Sequence, residues 1–208
     1  MQFGNEIVII ELIGIIAFAI SGAIVAIKRN FDIFGIIVLG VITAVGGGAI
    51  RDIILGIIPP TMFKHSLYVF VAFITSCVAF GLAAVMAVKF KKNKEFFMDV
   101  VNFFDAIGLG GFAVTGTNTA VVAGFANNPF LAIFVGVITG IGGGMLRDIL
   151  AGRVPFVLYK DIYASAAIVG ASLYYFMYIN GVNAAVSVTS TIIITILIRL
   201  AASFYHLS

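Results

Sequence analysis

The feature that most constrains this chain is a segment that occurs twice. The first copy is Gly46, Gly47 and Gly48, then two residues, then Arg51 and Asp52; the second is Gly142, Gly143 and Gly144, then Arg147 and Asp148. Both lie inside apolar runs of roughly 20 residues or more, the length that crosses a bilayer as a helix. Glycine weakens a helix, and a charge at membrane depth is costly and usually functional. A chain that places both there twice is built around them. The 208 residues are 62% hydrophobic and only 10% charged, with a mean hydropathy of +1.20. That composition belongs to an integral membrane protein. The short alternating segments of an outer-membrane barrel are absent, so the expected class is all-α.

The pattern predicts seven transmembrane helices, at 6–27, 34–58, 66–88, 100–123, 129–153, 161–180 and 184–204. The N-terminus reads as a retained span, because Glu6 and Glu11 precede the first basic residue, Lys28, where a cleaved signal carries a positive region. The net charge of +3 is small and the basic residues lie mostly between spans, which argues against nucleic-acid binding. Cys77 is the only cysteine and reads as a small buried hydrophobe. Lys28, Arg29, the four lysines of 89–94, Arg153, Lys160 and Arg199 fall on one side and Lys64 on the other. The positive-inside rule then puts the N-terminus outside and the C-terminus in the cytoplasm.

The two halves repeat. Gly46 maps to Gly142, Arg51 to Arg147, Asp52 to Asp148, Gly56 to Gly152, Pro59 to Pro155 and Thr43 to Thr139, all 96 residues apart. In the first span of each half the offset is 94, matching Phe18 to Phe112, Ser21 to Thr115 and Glu11 to Asp105. Three spans per half is an odd number, so the second half enters the membrane inverted, about a pseudo-two-fold axis in its plane. The expected organisation is a first three-helix repeat over 1–88, a basic cytoplasmic linker over 89–99, the inverted repeat over 100–180, and a seventh helix with the C-terminus over 181–208.

Gly46 and Gly142 fall near mid-membrane, about 18 Å along their spans at 1.5 Å per residue. Three glycines there permit a kink or an unwound stretch lining an ion or substrate path; the alternative is that they let helices pack closely. Arg51 and Asp148 do not pair across the axis, because antiparallel helices carry them about 16 Å apart along the membrane normal. Nor do Arg51 and Asp52 form a self-contained pair, since adjacent helical residues do not face each other. At matching depth stand Glu11 for Arg51 and Asp105 for Arg147. Two charged clusters follow, Glu11–Arg51–Asp52 and Asp105–Arg147–Asp148, one toward each mouth, as pore charges or gate, or as locks between helices. Ser21, Thr43, Thr115, Thr117, Asn118 and Thr139 are candidate oxygen ligands for a partly dehydrated cation, with interhelical hydrogen bonding the alternative.

Enzymatic readings fail on the residues. No glycine cluster leads into Gly-Lys-Ser/Thr after a strand, His65 and His206 have no metal-binding spacing, and no nucleophile–base pair is present. The chain reads as a non-enzyme without a cofactor, with no metal beyond potassium or sodium ions in transit.

The duplicated glycine–Arg-Asp segments in a chain of three, three and one spans resemble the trimeric intracellular cation (TRIC) channels, specifically their prokaryotic members, sequences also labelled as a glycine-transporter domain. The resemblance covers nearly the whole chain. It implies a homotrimer in the lipid of a prokaryotic inner membrane, with one water-filled pore inside each protomer. It implies that spans two and five are kinked at Gly46–Gly48 and Gly142–Gly144 and line that pore, and that potassium permeates with modest selectivity over sodium. The lysine-rich phosphoinositide site of the animal members has no counterpart identified here. Two other readings stand beside this one. A secondary transporter of a small amino acid such as glycine is suggested by the inverted repeat and by half-helix N-termini followed by arginines. A non-conducting scaffold requires the triplets to be continuous, dry helices.

Overall fold

In a computed structural model of the protein, residues 4–85, 94–158 and 161–204 are described. Among them the secondary structure is helical: α1 Gly4–Lys28, α2 Ile33–Ile54, a single turn α3 Thr61–Lys64, α4 Leu67–Val85, α5 Lys94–Ala120, α6 Pro129–Leu150, α7 Asp161–Ile179 and α8 Ala184–Phe204. Six of these helices are long and apolar enough to cross a membrane; the apolar helix over Leu67–Ala83 is shorter. Large apolar side chains such as Phe34, Phe130, Ile58 and Leu197 stand exposed on the outside of the bundle, as a protein solvated by lipid tails requires.

Helix ends show why the chain breaks where it does. Asp32 and Asn128, again 96 apart, cap α2 and α6 by accepting from the backbone N–H of Gly35 and Leu131, which satisfies donors that a helix start leaves free. Both helices stop earlier than the apolar runs suggest. Gly56 and Gly152 adopt φ of +70° and +64°, and the N–H groups of Ile57 and Arg153 reach back to the carbonyls of Asp52 and Asp148 at 2.8 Å. This is the glycine-terminated helix end, reached before the prolines. Conversely α5 begins at Lys94, inside the stretch expected to be linker; the basic residues before it, 89–93, and the expected end of the third span, 86–88, lie outside the described residues. At its far end α5 widens into a π turn over Val121–Phe125, with Gly124 at φ +99°.

The packing repeats with the sequence. α1 packs on α2 and α4 as α5 packs on α6 and α7, and the two sets join where α1 meets α5 and α2 meets α6. At the α2–α6 crossing a Cβ on Gly47 would collide with the carbonyl oxygen of Thr139, and a Cβ on Gly143 with that of Thr43. Gly46 receives the tip of Leu146, and Gly142 that of Ile50. The unwound stretch that three glycines suggest is therefore absent: residues 46–48 and 142–144 are helical throughout. What the glycines provide is the missing side chain, which lets two helices touch backbone to backbone.

Substituting Gly47 or Gly143 by alanine is expected to destabilise the folded protein by about 1–3 kcal/mol, the usual cost of overpacking. Gly81, a helical glycine whose Cβ would meet nothing within 4 Å, is the control in which alanine does not destabilise. Thermal unfolding of purified protein in detergent distinguishes them.

Candidate functional site

Arginine one turn past each glycine triplet is carried from the crossing into the bundle and is buried there. In the first half Arg51, 3% exposed, donates from Nη1 to Glu11 Oε1 at 3.1 Å and from Nε to Asp52 Oδ1 at 2.8 Å. In the second, the fully buried Arg147 donates from Nη1 to Asp105 Oδ1 at 2.5 Å and from Nε to Asp148 Oδ1 at 2.9 Å. Each guanidinium is thus held by one carboxylate from the first helix of its own half and one from its neighbour in sequence. The neighbouring contact arises because the long arginine side chain folds back, although successive Cβ atoms diverge. No ion pair joins Arg51 to Asp148 among the described residues.

Asp52 and Asp148 have a second task. Their free oxygens accept the backbone N–H of Thr61 at 2.6 Å and of Phe156 at 3.1 Å. Each therefore pins the loop that follows its helix against the cluster, so that helix, arginine and loop form one hydrogen-bonded unit. Sequence reasoning missed this, and also two tyrosines. Tyr163 Oη stands over Gly144 beside Arg147 and Asp105, while Tyr68 lines the cavity beside Glu11 and Arg51. They lie 95 apart, close to the repeat offset, which was the available signal.

The two clusters differ in access. The first borders a small cavity of about 20 Å³ lined by Glu11, Arg51, Asp52, Thr61, Tyr68 and Phe112, with Gly48 in its wall. The second is closed. Ser21 Oγ sits between Arg147 Nη1 and Asp105 Oδ1, the rings of Phe156 and Tyr163 cover it, and Arg147 lies 5.2 Å from the Phe156 centroid. Arg199 of α8, 3% exposed, stacks 4.4 Å over the Tyr163 ring.

The hydroxyl candidates stand elsewhere. Thr43, Thr117 and Thr139 donate to the carbonyls four residues back, at 2.6–2.8 Å. Their oxygens nest against Gly22, Gly136 and Gly116 of the neighbouring helices. Asn118 accepts from Tyr174. Thr115 is buried, its hydroxyl unpartnered among the described residues, and Ser21 belongs to the second cluster. None of the six lines the cavity.

A family model described as "Glycine transporter" matches residues 8–84 and 102–179, one stretch in each half. Relatives include the UPF0126 inner membrane protein YadS of Escherichia coli, 38% identical over 199 residues, covering 95% of this chain and 92% of the relative. A UPF0126 membrane protein of Vibrio cholerae is 36% identical over 200 residues, covering 96% of this chain and 80% of the relative. Among solved structures, the TRIC trimeric intracellular cation channel orthologue from Rhodobacter sphaeroides aligns with a TM-score of 0.86 at 30% identity, covering 98% of this chain and 100% of that one. A prokaryotic TRIC channel crystallised in 0.5 M KCl aligns with a TM-score of 0.85 at 33% identity, covering 97% and 98%.

Arg147→Met leaves the buried Asp105 and Asp148 without a counter-charge and is expected to cost about 3–5 kcal/mol, whereas Asp105→Leu leaves Arg147 paired with Asp148 and costs less. Replacing Arg147 and Asp105 together recovers part of the Arg147→Met loss, because Asp148 alone, and not two carboxylates, is then left without its guanidinium. Glu11→Gln, whose side chain borders the open cavity, costs less. Thermal melting of the three variants and the double variant in detergent gives the ranking.

Proposed function

The chain belongs to the family described as "Glycine transporter", and from that premise we propose that it is a cation channel of the TRIC type. The observation that carries the reading is the likeness, over nearly the full length of both chains, to structures of TRIC cation channels. The charge arrangement agrees with it. Helix N-termini and arginines repel cations, but here each arginine is bound by two carboxylates, so each triad on its own is net negative. A cation approaching the open cavity meets Glu11, Asp52 and the phenol of Tyr68 rather than a bare guanidinium.

In this reading seven helices span the membrane, with α4 as the third span, and potassium and sodium pass through each protomer of a homotrimer. The path runs between α2 and α6, past the first cluster, the glycine crossing and the second cluster. The triplets, continuous here, are where those helices bend when the path opens, since glycine backbones deform at least cost. The N-terminus faces outward and the C-terminus the cytoplasm of an inner membrane. Supporting this orientation, Arg29 donates to the Gly152 carbonyl and Arg153 stacks on Phe156, so basic residues from both halves share one end.

Purified protein in a planar bilayer under a potassium chloride gradient is expected to give discrete current steps reversing near the potassium potential. A silent bilayer, together with saturable counter-flow uptake of labelled glycine in liposomes, overturns the channel in favour of a carrier. Among conducting preparations, Glu11→Gln is expected to lower the preference for cations over chloride, read from the same reversal potential.

A further inference from the structure

We propose that Phe18 and Phe112 together form the apolar constriction of the conduction path, the layer that an ion must cross between the two charged clusters. This rests on the channel reading above. The two residues are repeat-equivalent, and their rings meet at 5.1 Å between centroids with the planes tilted by 56°. Phe112 closes the floor of the cavity that holds Glu11 and Arg51. Phe18, fully buried, lies against the faces of Gly108 and Gly143. The residue after Gly143 is Gly144, whose face meets Tyr163 Oη and the side chains of Arg147 and Asp105. The order from the open side is therefore Glu11 and Arg51, Phe112, Phe18, the glycine crossing, then Arg147 and Asp105.

Each ring is seated in a notch that only glycine leaves. A Cβ on Gly108 would strike the Phe18 ring, and one on Gly14 would press the Phe112 ring at 3.2 Å. The notches belong to the opposite half in both cases, so each half contributes one ring and receives the other. This makes the pair a joint closure rather than two independent core residues. Two phenyl faces with no polar atom of their own exclude water from the layer they fill, and a dry apolar neck blocks ions without any charge being moved. Both arginines are already neutralised by carboxylates, so charge alone does not close the path; the aromatic layer does. Opening then requires the rings to leave their notches, which separation of α1 from α5 at the pseudo-axis achieves in one step.

The test compares wild type, Phe112→Ala and Phe112→Leu in liposomes and planar bilayers, with oligomeric state checked by size exclusion in detergent. Potassium flux is expected to rise about tenfold in Phe112→Ala, the change that a barrier lower by about 1.4 kcal/mol produces, with Phe112→Leu between it and wild type. Tetramethylammonium is expected to be excluded by wild type and to permeate Phe112→Ala; loss of packing alone lowers stability but does not widen a size limit. If Phe112→Ala is not recovered folded, Phe112→Leu and Phe18→Leu carry the same two readouts. Wild-type current with unchanged flux and size limit in the folded variants overturns the constriction and leaves the channel standing. Absence of current from every form, with insertion confirmed, overturns the channel reading itself and the constriction with it.

Discussion

The contact on which the rest of this structure depends is the crossing of α2 and α6, where Gly47 meets the Thr139 carbonyl and Gly143 meets that of Thr43. Apolar side chains gain little by leaving lipid tails for one another, so helices associate through close packing and polar contacts. A backbone-to-backbone crossing gives the closest packing available. It also fixes the depth of whatever follows in sequence. Arg51 and Arg147 come four residues after Gly47 and Gly143, about one helical turn, and so are placed on either side of the pseudo-axis. The helices leave each other at the same rate in both directions, and two charges of like sign are kept apart by the geometry that brings their helices together.

Placement of the arginines then dictates the carboxylates. A guanidinium at a helix centre in a membrane costs about 2.5–3.5 kcal/mol on insertion scales, and two such costs are a sizeable fraction of the 5–15 kcal/mol by which ordinary domains are stable. Pairing removes most of this only if the remaining polar atoms are also satisfied. Here the chain reuses the same carboxylates for that purpose. Asp52 and Asp148 accept both from the arginine beside them and from the loop beyond the helix, so the charge lock and the loop anchor are one group. The glycine helix ends at Gly56 and Gly152 turn the chain so that those loop amides face back toward the carboxylates. Triplet, arginine, aspartate and terminal glycine form one device made twice.

Much of this was legible in the sequence because inverted repetition leaves arithmetic. Offsets of 94 and 96 identify Glu11 with Asp105 and Arg51 with Arg147, and the structure puts each arginine against the carboxylate of its own half. The helices follow the apolar runs. The glycine triplets were ambiguous for a physical reason: glycine is both the most flexible residue and the smallest, and a sequence does not say which property is in use. The facing carbonyls of Thr43 and Thr139 show that the small size is in use in this structure. The hydroxyls of Thr43, Thr117 and Thr139 were ambiguous likewise, since a threonine that bonds its own helix four residues back looks in sequence like one that faces a path. The start of α5 at Lys94 was hidden because lysine and glutamate form helix as readily outside a membrane as apolar residues do within it.

The remaining question is why two copies of one device do not look alike. Glu11 is one methylene longer than Asp105, Ser21 stands where the other half has Thr115, and α8 has no counterpart. These differences act in the same direction. The shorter carboxylate draws Asp105 fully inside, and the small Ser21 hydroxyl fits between it and Arg147. α8 adds Arg199, which holds the Tyr163 ring over the same place. In the first half the longer Glu11 keeps its carboxylate at the edge of a cavity that Tyr68 also lines, while Thr115, the counterpart of Ser21, has a hydroxyl unpartnered among the described residues. A symmetric protein offers either two open mouths or two closed ones. Breaking the symmetry at two positions and appending one helix yields a molecule open at one cluster and sealed at the other, with Phe18 and Phe112 meeting between them.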